Sequence, residues 1–187
     1  MSSKIAIDVA LLPPDKIMDE AIKINRQFKS RFSLNKTNCL PHITLSQAIF
    51  QSTDLPEIVN RLQKIAADFR PLKLRSFVVN QPSAMFEVAK SNQLGKLHER
   101  VMSDFTDLAS YDVKQKYFYD GYIREKSLNY VRDFLKVAYK NYYPHITLGP
   151  EQANVKQDLD FTCDRLTICH LGNFNTCRKL LFEIPLC

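Results

Sequence analysis

The five residues Pro41-His42-Ile43-Thr44-Leu45 return, letter for letter, as Pro144-His145-Ile146-Thr147-Leu148. At average residue usage, odds on the order of one in a hundred attach to such a repeat arising by chance, so the repetition calls for a physical reason. Read as a strand, each copy sends successive side chains to opposite faces. His42 and Thr44 then share one face while Ile43 and Leu45 turn to a core, and His145, Thr147, Ile146 and Leu148 do the same. Pro41 and Pro144 begin the strands, where a missing N–H costs no interior ladder bond.

The surroundings of the two copies suggest that a longer unit is repeated. Ile5 to Leu12 is a compact apolar run closed by Pro13-Pro14, which predicts a strand. Asp15 is a candidate N-cap, and Ile17, Met18, Ala21, Ile22, Asn25 and Phe28 mark a helical face. A polar loop over 31–40 leads to the first copy. Lys116 to Ile123, rich in Tyr and Phe, predicts a second strand, and Leu128, Val131, Leu135 and Ala138 a helix running to the second copy. Setting Asp8 against Asp120 aligns the two halves as strand, helix, motif strand.

Between them, Ile58, Leu62, Ile65 and Phe69 predict a helix with Pro56 in its first turn. Leu72 to Val79 and Met85 to Ala89 predict strands joined over 80–83, and Leu94, Leu97, Val101, Phe105 and Leu108 another helix. Arg165 to His170 and Leu180 to Leu186 predict a closing strand pair around Gly172-Asn173. The expectation is an α+β fold of two similar lobes related by a pseudo-two-fold, with antiparallel-rich sheets facing a central cleft and helices outside. With four glycines and no Gly/Ser-rich linker, residues 1–187 are expected to form a single bilobal domain.

Composition narrows the function classes. The early apolar run is too short to span a bilayer and carries Asp8, so no membrane association is expected. Five cysteines without a C-x-x-C pair point to reduced thiols and a cytoplasmic protein. Cys163, Cys169, His170 and Cys177 do not have zinc-ligand spacing, and no metal or other cofactor is expected. The net charge of +6 favours an anionic partner, RNA or a nucleotide. A monomer is expected.

If the lobes bring their polar faces together, two imidazoles and two hydroxyls line one cleft. One neutral imidazole can accept a proton while a charged one donates, which is the division of labour that displacement at phosphorus requires. The threonine hydroxyls would hold the non-bridging oxygens. His42, Thr44, His145 and Thr147 are therefore the candidate catalytic residues.

With His42-Ile43-Thr44-Leu45 and His145-Ile146-Thr147-Leu148 in place, the chain resembles the two-histidine (2H) phosphoesterase superfamily, whose signature is a pair of H-x-[ST]-x motifs in a bilobal fold. The resemblance covers most of the chain, which is similar in length to LigT-like cyclic phosphodiesterases. It implies metal-independent chemistry that opens 2′,3′-cyclic phosphates at RNA ends or on nucleotides to 2′-phosphates. The other activities it implies are cleavage of 2′-5′ linkages and 2′-5′ RNA joining. A non-catalytic RNA-binding protein is the reading from another class.

Outside the motifs, Tyr119 and Tyr143 are candidate base-stacking residues and Arg178 a candidate phosphate ligand. His98, among charged neighbours, is expected on a surface or in helix packing. His170 is expected to be a hydrogen-bonded strand-end residue.

Overall fold

A computed structural model of the chain describes residues 3–28, 33–80, 83–153 and 157–187. Its elements are β1 (Lys4–Leu12), α1 (Asp15–Asn25), β2 (Ile43–Gln51), α2 (Leu55–Asp68), β3 (Leu72–Val79), β4 (Ala84–Val88), α3 (Asn92–Asp104), α4 (Glu125–Arg132), β5 (His145–Gly149), β6 (Asp158–Cys163), β7 (Arg165–Leu171) and β8 (Cys177–Pro185). The strands form two four-stranded sheets, ordered β2-β1-β7-β8 and β5-β4-β3-β6. Every pairing is antiparallel, so the α+β expectation holds.

Each motif strand is an edge strand of its own sheet, and β2 meets β5. Ile43, Leu45, Ile146 and Leu148 are fully buried in one core cluster, each such side chain stabilising the fold by about 1.5–3 kcal/mol. His42, Thr44 and His145 are part-exposed and Thr147 is exposed. The alternation of buried and open positions is that of the pentad read as a strand.

The register explains the fifth letter of the pentad. Val9 pairs with Ser46 and Ala10 with Thr44, so Leu45 is an extra residue on β2. Ala84 pairs with Gly149 and Met85 with Thr147, so Leu148 is the extra residue on β5. Both leucines are β-bulges, a device that bends an edge strand and frees its backbone from the ladder. Each bulged carbonyl is taken by a side chain of a helix. His98 Nδ1 lies 2.7 Å from the Leu45 oxygen, and Asn25 Nδ2 donates to the Leu148 oxygen at 2.8 Å. The helices are exchanged: α1 follows β1 but packs on β5, and α3 follows β4 but packs on β2. Gly149 completes the second bulge, since a Cβ there would stand 2.2 Å from Phe28 Cδ2.

The internal alignment needs correction. Residues 116–123 do not form a strand; a 3-10 turn over Gln115–Tyr117 gives way to bends. Tyr117, Phe118 and Ile123 are buried against Ala6, Ile49 and Leu171, so the aromatic run covers a sheet instead of pairing in one. The strand equivalent to β1 is β4, the neighbour of β5. Counting back from the matched bulges, Asp8 precedes Val9 as Ser83 precedes Ala84, so the counterpart of Asp8 is Ser83 and not Asp120.

Strand β6 is absent from the sequence expectation, although Leu159, Phe161 and Cys163 alternate with Asp158, Asp160 and Thr162 in the period of a half-buried strand. The helix drawn toward Ala138 ends at Arg132 and gives way to a 3-10 turn over Phe134–Lys136. Parts of two expected loops, 31–32 and 81–82, lie outside the described residues. The thiols are not all reduced: Cys169 and Cys177, on β7 and β8, form a disulfide across a Cα separation of 5.3 Å, within the range a cystine spans. Cys39, Cys163 and Cys187 are free. Among the described residues, no helix is long and apolar enough to cross a membrane.

Candidate active site

His42, Thr44, His145 and Thr147 line one cavity of about 250 Å³ between the sheets, together with Gln47, Ser83, Lys126, Tyr130 and the segment Phe174-Asn175-Thr176. The two imidazoles are held alike. His42 Nδ1 lies 2.7 Å from the Leu40 carbonyl and His145 Nδ1 2.9 Å from the Tyr143 carbonyl, in each case two residues back. A backbone carbonyl only accepts, so Nδ1 carries the proton in both rings and Nε2 is left for the cleft.

Beyond this the two halves differ. His42 Nε2 stands 3.3 Å from Asp8 Oδ2 in an ion pair. The Asp8 carboxylate is fully buried in β1 and also accepts from Thr44 Oγ1 at 2.9 Å and Gln47 Nε2 at 2.7 Å. Burial pulls the His42 imidazolium down, but its contact with Asp8, the Asp8 charge and the Leu40 carbonyl together outweigh burial and hold its pKa above 6.5. A buried carboxylate needs a countercharge, and among the described residues no Lys or Arg pairs with Asp8. His42 supplies that charge.

His145 has the opposite bias. Burial lowers its pKa below 6.5, the Tyr143 carbonyl acts against this, the neighbouring His42 charge lowers it further and Glu87 partly offsets. At the place equivalent to Asp8 stands the neutral Ser83. The two rings are thereby biased apart, His42 toward the imidazolium and His145 toward the free base. The hydroxyls differ too: Thr44 donates to Asp8, while Thr147 has no hydrogen-bond partner among the described residues and is open to the cleft.

Of the other expected residues, Tyr143 borders a neighbouring apolar cavity of about 290 Å³ with Met85, Tyr130, Phe134 and His145. Its hydroxyl donates to Glu87 and its ring lies 5.6 Å from the His145 ring. Burial and the Glu87 carboxylate push its phenol up to about 12. Tyr119 and Arg178 are not brought to the catalytic cavity. Tyr119 packs edge-on against His170 at 5.6 Å. Arg178 pairs with Asp120 at 3.2 Å and donates to the Asn38 carbonyl at 2.7 Å, so its charge is spent on the fold.

His98 is buried rather than at the surface. Its Nε2 accepts from the Tyr139 N–H at 2.8 Å, which fixes the neutral tautomer that donates to Leu45, and its ring stacks on Tyr142 at 3.9 Å. The Tyr142 hydroxyl in turn donates to the Thr44 carbonyl at 2.9 Å, linking the two motifs. Asp8, Ser83, Asn25 and His98 are the positioning residues that sequence reasoning misses. The available signal is polarity out of place, above all one carboxylate inside an apolar strand. Among the described residues, no three His, Cys, Asp or Glu side chains group to hold a metal ion.

The model of the 2′-5′ RNA ligase superfamily matches residues 13–173. Among solved structures, TT0787 of Thermus thermophilus is similar at a TM-score of 0.64 with 14% identity, covering 97% of this chain and 98% of that one. LigT of E. coli complexed with 3′-AMP is similar at a TM-score of 0.54 with 13% identity and 99% of each chain covered. LigT complexed with NADP+ gives a TM-score of 0.53 at 13% identity, covering 98% of this chain and 99% of that one. Comparison with curated protein sequences found no match.

Proposed function

The chain belongs to the 2′-5′ RNA ligase superfamily of 2H phosphoesterases, and from that premise we propose that it is a metal-independent phosphodiesterase that opens 2′,3′-cyclic phosphates of RNA ends or nucleotides to 2′-phosphates. The observation that carries the reading is the asymmetry of the histidine pair: Asp8 beside His42 biases it toward its charged form, and His145, with Ser83 at the place equivalent to Asp8, is biased toward its neutral form. LigT, seen complexed with 3′-AMP and with NADP+, supports a nucleotide phosphate as the ligand of a cleft of this kind.

In this mechanism His145 Nε2 accepts a proton from water as the water oxygen bonds to phosphorus. The bond from phosphorus to O3′ breaks, and His42 Nε2 gives its proton to that leaving oxygen, so the phosphate stays on O2′. Charge gathers on the non-bridging oxygens, where the free Thr147 hydroxyl donates and the imidazolium attracts. Thr44 acts from behind, its hydroxyl helping to fix the Asp8 carboxylate that His42 faces. After turnover His42 is neutral and His145 charged, and exchange with solvent resets both.

The test is incubation of short RNAs ending in 2′,3′-cyclic phosphate with the protein in excess chelator, followed by end-group analysis, beside His42→Ala and His145→Ala. The expected result is conversion to 2′-phosphate, slowed by about 10²–10⁴ in each variant. Unchanged RNA ends with the folded wild-type protein would overturn the reading. So would variants that turn over at the wild-type rate.

A further inference from the structure

A second cavity of about 210 Å³ adjoins the catalytic one and shares Ser83, Lys126, Tyr130, Thr147, Phe174 and Asn175 with it. Arg124 lines only the second. Its guanidinium carbon lies 4.6 Å from the centre of the Phe174 ring, within the range of a cation–π contact. Among the described residues, neither Arg124 nor Lys126 pairs with a carboxylate. This contrasts with Arg178, whose charge Asp120 absorbs.

The wall opposite is a turn held in an unfavourable backbone. Phe174 and Asn175 both have positive φ, 62° and 55°, the left-handed region that side-chain-bearing residues seldom enter. Strain of this kind persists only when the surroundings enforce it, and it gathers at ligand clamps. The enforcement is visible: the Asn173 N–H donates to Asp120 at 2.7 Å, the Arg124 N–H to Asn173 Oδ1 at 3.0 Å, and the Phe174 N–H to Ser127 Oγ at 3.1 Å. The turn brings Asn175 to both cavities, and its Oδ1 is buried without a hydrogen-bond partner among the described residues.

We infer that Arg124 and Lys126 bind the phosphodiester next to the reacting one, so that the substrate is the end of an RNA strand and not a free cyclic mononucleotide. This rests on the phosphodiesterase reading of the adjoining centre. A terminal nucleoside cyclic phosphate places one further phosphate on its own 5′ oxygen, which is the anion an unpaired Arg and Lys beside the reacting phosphate would attract. Asn175 Oδ1 is an acceptor for a ribose hydroxyl, a group that RNA presents and DNA lacks.

The test compares three ligands: adenosine 2′,3′-cyclic phosphate, the dinucleotide ApA ending in 2′,3′-cyclic phosphate, and the same dinucleotide with a neutral methylphosphonate at its internal linkage. The corresponding 2′-phosphate products are titrated calorimetrically in parallel, so that binding is read whether or not turnover occurs. The dinucleotide is expected to exceed the mononucleotide by roughly tenfold to a hundredfold in kcat/KM and in affinity, the size of a charge-assisted contact. The methylphosphonate should lose this advantage, and Arg124→Ala and Lys126→Ala should each bring the ratio toward one. Equal affinity of the wild-type protein for mononucleotide and dinucleotide products would overturn the inference, as would a ratio untouched by either substitution. Dinucleotide preference in binding without any turnover would leave the subsite standing and remove the phosphodiesterase reading instead.

Discussion

Two identical pentads would make two equivalent histidines, and at the level of single residues the protein breaks that equivalence with Asp8. The carboxylate is buried, accepts from Thr44 and Gln47, and leaves His42 as the countercharge. The rate should then rise as pH climbs through the lowered pKa of His145 and fall as pH climbs through the raised pKa of His42, giving a bell that straddles 6.5. Asp8→Asn removes what raises His42, so the alkaline limb should move to lower pH, and the acid limb, relieved of part of the His42 charge, should move if at all to higher pH. Ser83→Asp supplies His145 with the carboxylate it lacks, so the acid limb should move to higher pH. Profiles of kcat/KM against pH for the three proteins check both; limbs that stay in place would show that neither residue sets the histidine charges. The pentads are legible in the sequence because they repeat, whereas Asp8 and Ser83 are not, because the contrast between them exists only once β1 and β4 are matched by register.

At the scale of elements, the bulged leucines and the exchanged helices do the positioning. The Leu45 and Leu148 carbonyls leave the ladder and are met by His98 from α3 and Asn25 from α1. His98→Phe leaves the Leu45 oxygen and the Tyr139 N–H without their partner, and Asn25→Ala does the same for the Leu148 oxygen and the Leu34 N–H. Each substitution should cost about 1–3 kcal/mol of stability, read by denaturant unfolding. The cost of losing His98 should shrink in acid. Burial, opposed by the Leu45 carbonyl and the Glu99 charge, holds its folded pKa below 6.5. As pH falls below 6.5 the unfolded chain therefore takes up a proton that the folded protein refuses, and the wild type loses stability that the Phe variant does not. A cost that does not change with pH would contradict this assignment. A helix with strong periodicity such as α2, and a continuous apolar run closed by prolines such as β1, are readable from sequence. Residues 116–123 mislead, since Tyr and Phe mark burial as well as strand pairing, and here Tyr117 and Phe118 are buried by covering Ala6 and Ile49.

Across the whole molecule, two sheets of matching order set their edge strands β2 and β5 against each other, and the symmetry of the backbone creates a cleft that the side chains then polarise. The α+β class and the meeting of both motifs follow from the repeat alone. The internal correspondence does not, because the strands equivalent to β7 and β8 are β3 and β6, which lie far from those positions in chain order. The net charge of +6 acts through particular residues: Arg178 is neutralised by Asp120, while Arg124 and Lys126 face the cleft region. The central claim is that the two histidines are biased in opposite directions, His42 toward its charged form and His145 toward its neutral one. It is tested most directly by NMR titration of the histidine ring signals in the free protein, assigned with His42→Ala and His145→Ala. The account predicts that His42 titrates above 6.5 and His145 below it; coincident titrations, or the reverse order, would contradict it.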